Sequence, residues 1–446
     1  MKITHFSNSF ISIDSQGDTI LCDPWIGKAN AGGWQSFPEY SIDELTRHLK
    51  DVKWVYLSHL HDDHFHAETL RSCKLLDREF IIKRFKSPIL KNRLLQLGVT
   101  TIHEIDPFTL QKFGPFELSI FPQLSSNSSG LEDDVNYDLD TSISIKADGV
   151  TFFNQVDNPL SLQDINVVSQ FIRENLGEID VACTMSGAAS EYPHLFLGID
   201  HASEKRRIVD GALNDLVEWL KLLKPKFFFP AGGTYLIPGW MSIYNENIAQ
   251  PTFSEIANFV EMAGLAVKTL PLEGGKCLEI SCGQHSVKVG TSLLPIESDL
   301  NLAIKTHRSD EYQYACIKEP HPQKLQLMLN AASESWLSKV NEKNLKIHQS
   351  IRFEIYSPLY VVSGIPDKSK LVASYQLFNT QDSDVGDLII HIDQRAIVGC
   401  ITRNLVWNAV LGTLCFYERR PNHFYPTDFF SLNFFSLSSE KLEQFK

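Results

Sequence analysis

The segment Ser58-His59-Leu60-His61-Asp62-Asp63-His64 puts three imidazoles and the Asp63 carboxylate within a single turn or loop of chain. Imidazole and carboxylate are the donors that zinc, iron and manganese accept. A loop can aim His59 and His61 at one ion and leave Asp63 and His64 for a second. A solvated polar loop, or histidines satisfied inside a core, is the bland alternative. It loses weight because the segment follows directly on an apolar run. Asp157 stands before Asn158-Pro159, where an aspartate alone reads as a turn residue. Beside the histidine loop it becomes a ligand that completes one site or bridges two. Asp23, in Cys22-Asp23-Pro24-Trp25, is either a turn residue or a group that hydrogen-bonds a ligating imidazole from behind. Asp157, Asp63 and His64 are the candidates for catalytic roles, while the lone His66 reads as a polar neighbour.

These residues need elements to hold them. Val52 to Leu57 is a mostly apolar strand that runs straight into the histidines. Phe10 to Ile13 and Thr19 to Leu21 flank the polar stretch 14–18, a hairpin signature. Thr141 to Lys146 alternates, Asp148-Gly149 turns, and Val150 to Phe153 returns to end near Asp157. Between Glu204 and Lys224, Val209, Ala212, Leu213, Leu216, Leu220 and Leu223 recur at helical spacing until Pro225, and Phe227 to Phe229 is a buried strand. Strands alternating with helices predict an α/β unit over residues 1–290, two sheets sandwiched between helices. Beyond residue 300 a helix carrying Leu325, Met328, Leu329, Ala332 and Trp336 precedes strands around Ile351 to Ile355 and Leu388 to Ile392. Residues 300–446 thus read as a separate α+β domain whose aromatic tail, Phe424 to Leu437, packs onto the main body.

A chain of 446 residues that is 43% hydrophobic has ample material for two cores. Its net charge of −13 gives no footprint for nucleic acid, although an acidic total leaves room for one cationic pocket. No stretch has the length and apolarity of a membrane span, and Met1 to Asp23 lacks the apolar block of a signal peptide. The eight cysteines are scattered without a Cys-x-x-Cys pair, which suits reduced thiols in a cytoplasmic protein.

The His-x-His-x-Asp-His run resembles the signature of the metallo-β-lactamase superfamily, and its surroundings resemble the CMP-N-acetylneuraminate hydroxylase branch. The matching segments are Asp23-Pro24-Trp25 with Gly33-Trp34, the histidine run, Leu139-Asp140-Thr141, Val156-Asp157, Ser186-Gly187-Ala188-Ala189-Ser190 with Tyr192-Pro193, Pro230-Ala231-Gly232, Arg420-Pro421-Asn422 and Tyr425-Pro426. The resemblance implies a metallo-β-lactamase αββα sandwich for residues 1–290. Two departures stand out. The branch carries a Rieske iron–sulfur domain, and no Cys-x-His exists here to supply one, so Cys282-Gly283-Gln284-His285 is a chance match. Two histidines expected of the superfamily's hydrolases are also absent: one region offers Asn136, Asp138 and Asp140, the other Pro230-Ala231-Gly232-Gly233.

One firmly held metal with open positions is therefore expected, completed by Asp138, Asp140 or His194, with His201 a further substitute, although a surface or core role is the preferred reading of His194 or His201 alone. Open positions suit ferrous iron. The leading expectation is an iron-dependent hydroxylase or oxidase, with one or two iron ions, acting on a polar sugar- or nucleotide-linked small molecule. His59, His61 and Asp157 would bind the iron, and a separate electron donor would supply the reductant. The alternatives are a zinc- or manganese-dependent hydrolase of a phosphoester, lactone or amide, and a non-catalytic scaffold. Ser186, Gly187 and Tyr192 would contact substrate, a plain turn being the competing reading of that loop. Residues 300–446 weakly resemble sterol-carrier-like domains, for which a structural or dimerising role, giving a homo-oligomer, is preferred over lipid binding.

Overall fold

The computed structural model describes residues 1–124, 140–185, 187, 190–282, 287–362, 364–380, 386–419 and 425–445. Two large sheets dominate the first 291 residues. The first has eight strands, in the order Lys288–Thr291, Lys276–Glu279, Lys2–Ser7, Phe10–Ser15, Asp18–Cys22, Val52–Tyr56, Glu79–Lys83 and Ile102–Ile105. The second has seven: Lys268–Thr269, Phe227–Pro230, Val181–Thr184, Val150–Asn154, Thr141–Ala147, Phe116–Pro122 and Gln111–Phe113. Each sheet is antiparallel on one side and parallel on the other. In the first the switch falls where Asp18–Cys22 pairs in parallel with Val52–Tyr56, and in the second where Val150–Asn154 pairs in parallel with Val181–Thr184.

Strand periodicity explains the layering. Successive side chains point to opposite faces, so one strand serves two cores. Cys22, Trp54, Tyr56, Phe152, Cys183 and Phe229 face the space between the sheets. Leu21, Val55 and Leu57 face outward onto Leu45, Leu70 and Leu94 of the helices Ile42–His48, Ala67–Ser72 and Ile89–Gln96. On the other side Phe153 and Ala182 meet helix Leu162–Asn175, and Phe228 meets helices His201–Leu223 and Phe253–Met262. Both faces of each central strand are covered, which is why these runs are apolar rather than alternating. The architecture is a four-layer αββα sandwich.

After residue 300, helix Pro322–Glu342 packs on a four-stranded sheet ordered Leu371–Phe378, Ser350–Tyr356, Asp387–Asp393, Cys415–Glu418. The division expected near residues 290–300 separates the sheets but not the packing. One hydrophobic core joins Leu329, Trp336, Phe353, Ile390, Trp407 and Phe435 to Trp25, Trp34, Leu195, Phe196, Tyr235 and Tyr244. The backbone crosses too: the Leu197 amide donates to the Tyr417 carbonyl at 2.8 Å and the Tyr417 amide to the Leu195 carbonyl at 3.0 Å. Gly33 marks the closest approach, since a Cβ there would lie 2.2 Å from Thr413 Oγ1. The tail residues Phe429, Leu432, Phe435 and Leu437 are buried in the same core. No helix among the described residues is long and apolar enough to cross a membrane.

Candidate metal centre

The chemistry-bearing residues gather at one rim of the sandwich. Asp23 follows strand Asp18–Cys22, the histidine segment follows Val52–Tyr56, Asp157 follows Val150–Asn154, and Ala231 to Thr234 follow Phe227–Pro230. All four strands run the same way toward the rim. Asp140 joins them from the start of the antiparallel strand Thr141–Ala147. Asp23 (φ +41°) and Val156 (φ +55°) hold left-handed backbone, and for a β-branched valine that conformation is strained. Val156 is the residue that turns the chain to present Asp157.

Two groups of donors result, each with its ligand atoms within 4.8 Å of one another: His59, His61 and Asp140, and His59, His64 and Asp157. His59 Nε2 lies 2.8 Å from His61 Nδ1 and 3.2 Å from Asp140 Oδ1. His64 Nε2 lies 3.1 Å from Asp157 Oδ2 and 3.4 Å from Asp63 Oδ2. The arrangement is buried: His59, His64 and Asp23 have no exposed surface, and Asp63 is nearly enclosed.

His59 and His64 are each gripped on the far nitrogen, so that Nε2 of each ring faces the shared space. The Ser58 hydroxyl donates to Asp23 Oδ2 at 2.8 Å and accepts from His59 Nδ1–H at 2.9 Å, turning His59 Nε2 inward. His64 Nδ1–H donates to Asp23 Oδ2 at 3.1 Å, and the Ser58 amide donates to Asp23 Oδ1 at 2.8 Å. His61 is held differently: the Asn408 carboxamide lies 2.8 Å from its Nε2. Here the carboxamide nitrogen donates to Nε2, which leaves the ring proton on Nδ1, facing His59 Nε2; a metal at Nδ1 would need the carboxamide turned over so that its oxygen accepts from Nε2–H. Asn8 supports the other flank, its side-chain amide donating to Asp63 Oδ2 at 3.3 Å and its side-chain oxygen accepting from the Gly233 amide at 2.8 Å.

Electrostatics agree with a cation site. Burial, with His64 and His61 close by, holds His59 well below the ordinary imidazole range, so it stays neutral. Burial also opposes a charge on His64, but Asp157, Asp63 and Asp23 outweigh it and push that imidazole well above its usual range. For Asp63 burial raises the carboxyl, and the neighbouring His64 more than reverses this. Three carboxylates that stabilise a proton on His64 would equally stabilise a metal cation in its place. A mixed imidazole and carboxylate set fits iron, manganese or zinc.

The remaining expected site residues fall elsewhere. His194 belongs to neither donor group: it is buried with both ring nitrogens unpartnered, and burial brings its pKa down to about 3. Its place in the segment that docks on Tyr417 explains this, so it is corrected from a supplementary ligand to a core histidine. His201 donates from Nε2 to the Phe196 carbonyl at 2.8 Å, and His66 donates from Nε2 to the Lys28 carbonyl at 2.9 Å while capping helix Ala67–Ser72. Tyr192 donates to Glu204 at 2.6 Å beneath the Arg419 guanidinium. Gly187 is packed so closely that a Cβ would meet the Gln250 carboxamide at 1.8 Å. Ser186, Asn136, Asp138 and His285 lie outside the described residues. Sequence reasoning missed Asn8 and Asn408. The second, 347 positions from its partner, gives no local signal.

Comparison with known proteins agrees with this topology. Residues 2–138 match the model of the beta-lactamase superfamily domain. A Mycobacterium tuberculosis protein, provisionally named a Rieske 2Fe-2S iron-sulfur protein, is 37% identical over 98 residues, 22% of this chain and 19% of that protein. The cytidine monophosphate-N-acetylneuraminic acid hydroxylase of Pongo pygmaeus is 28% identical over 251 residues, 53% of this chain and 39% of the hydroxylase. The matches thus span about a fifth and two-fifths of the relatives' own lengths. The solved structure of CmlA, a diiron beta-hydroxylase from Streptomyces venezuelae, aligns with a TM-score of 0.41 at 18% identity, covering 61% of this chain and 53% of that one. The family match covers residues 2–138, and the αββα sandwich with the His-x-His-x-Asp-His loop at its rim is the metallo-β-lactamase fold class.

Proposed function

We propose that the protein is a metal-dependent oxidoreductase that hydroxylates a small molecule, with iron held by His59, His61 and Asp140 and by His64, Asp63 and Asp157. The observation that carries this reading is the donor set itself: three imidazoles, two of them locked on the far nitrogen, facing three carboxylates. Such a mixed set of imidazoles and carboxylates accommodates iron. Bound iron would supply dioxygen activation. Asp23 and Ser58 fix the tautomers of His64 and His59, and Asn408 holds the His61 ring in place from its far side. Gly232, where a Cβ would sit 3.6 Å from Asp157 Oδ1, keeps that flank of the site clear of side chains. Inserting one hydroxyl from dioxygen consumes two electrons and two protons, so the reading requires a separate electron donor. Relatives named as a sialic acid hydroxylase and a Rieske protein favour oxygenation and an iron–sulfur donor.

The test is metal content by plasma mass spectrometry on chelator-free protein, with His59→Ala, Asp140→Ala and Asp157→Ala variants, followed by oxygen uptake with a chemical reductant. Iron that is lost in the variants, with reductant-dependent oxygen uptake, supports the reading. A pair of zinc ions without oxygen uptake overturns it in favour of a hydrolase, and protein that takes up no metal leaves a scaffold.

A further inference from the structure

A cleft of about 680 Å³ opens where the sandwich meets the C-terminal region. Its size suits a small organic ligand. Leu60, Ile89, Leu405 and Phe434 give it apolar walls, and Arg93, Lys339 and Arg403 stand around it. Among the described residues that line it none is acidic, although the chain as a whole carries −13. Lys339 pairs with Glu342 at 2.7 Å, and Asp62 lies within electrostatic reach of Arg93. Arg403 carries its guanidinium on an exposed, left-handed residue at φ +62°.

The cleft also abuts the donor groups. Leu60, which lines it, is the residue between His59 and His61, and Asn408, which also lines it, is the residue that contacts His61 Nε2. We infer that this cleft binds an anionic amphiphile, a carboxylate or phosphate monoester with an apolar chain or ring, and delivers it to the rim occupied by His61. The apolar walls take the body of the ligand by removing hydrocarbon from water. Arg93 and Arg403 take the anionic group, the guanidinium fork matching both carboxylate and phosphate. As the substrate class of the proposed hydroxylase this rests on that reading; as a binding site it stands by itself.

Calorimetric titration of the full chain with decanoate, decyl phosphate, decanol and inorganic phosphate tests it, with metal content measured on the same samples. One decanoate or decyl phosphate per chain is expected, at least tenfold tighter than decanol or inorganic phosphate. Arg93→Glu and Arg403→Glu, both at exposed positions, should each weaken the two anionic amphiphiles about tenfold and leave decanol unchanged. Whichever of decanoate and decyl phosphate binds tighter identifies the preferred head group. Decanol binding as tightly as decanoate, inorganic phosphate matching decyl phosphate, or anion affinity unaltered in both variants would overturn the inference. Iron-loaded protein that binds neither anion refutes the cleft alone, whereas tight binding by protein that takes up no metal refutes the hydroxylase and keeps the cleft.

Discussion

Replacing His194 with leucine should flatten the loss of stability on acidification. The ring is 1% exposed and has no partner for either nitrogen, and its pKa falls from 6.5 to about 3. A folded state that binds fewer protons than the unfolded chain is more stable at higher pH. The contribution of His194 is complete above pH 6.5 and is lost as pH falls toward about 3. Each pH unit in that window amounts to about 1.4 kcal/mol, so at pH 5 the wild type has lost about 2 kcal/mol through this residue. Leucine is close in size and removes two orphaned polar atoms, so at pH 7.5 the variant should be at least as stable. Urea unfolding followed by ellipticity, at pH 7.5 and pH 5, gives the double difference, in which His5 and the other titrating groups cancel. The variant should gain about 2 kcal/mol on the wild type between the two pH values. Parallel pH dependences would refute the account of an unpartnered buried imidazole. Loss of metal in the variant would show instead that His194 reaches the centre.

Removal of the Asn408 carboxamide in Asn408→Ala should weaken metal binding roughly 10- to 100-fold while leaving the circular dichroism spectrum unchanged, because His61 loses the contact that orients its ring; competition with a chromophoric chelator measures this, and unchanged affinity would count against it. Asp140→Ala should keep one metal ion of a pair, read by plasma mass spectrometry, whereas retention of both would remove Asp140 from the ligand set. Gly33→Ala forces a Cβ to 2.2 Å from Thr413 Oγ1 and should cost about 1–3 kcal/mol, seen as a lower Tm; an unchanged Tm would mean that the two segments do not pack so closely. Residues 300–446 expressed alone should lack a cooperative thermal transition, since Trp25, Trp34, Leu195, Phe196 and Tyr235 complete their core; a sharp calorimetric transition of that fragment would show an independent domain.

Local patterns were readable where the information is local. The hairpin read from Phe10 to Leu21 forms with Ile13 opposite Ile20, and the strand running into the histidines is Val52–Tyr56. The αββα architecture was legible through the resemblance carried by the His-x-His-x-Asp-His run, with which the alternation of strands and helices was compatible. Asp140 was one of three acidic or amide residues open to selection in 136–140, and only the strand start at Thr141 decides that it meets His59. For His194 both a core role and a supplementary ligand role were open, because a histidine's type says nothing about which neighbours its fold brings. The core shared by Trp34 and Trp407 was invisible for a related reason: each apolar segment shows that it is buried, not against what. Asn408 is the extreme case, a polar residue in an apolar helix whose purpose depends on a contact made across most of the chain.

The short helix Trp407–Thr413 also sets an order of events during synthesis. All the proposed ligands lie at or before residue 157, and the group that orients His61 arrives only at residue 408, 251 residues later. At roughly 5–20 residues per second the ribosome needs roughly 13–50 s to cover that distance. Throughout that interval the His61 ring turns without its lock, and the apolar surface around Trp34 waits for its cover. Under the proposed function, the contact that orients His61 therefore forms only after every ligand has been made, and before the strand Cys415–Glu418 and the tail that complete the shared core.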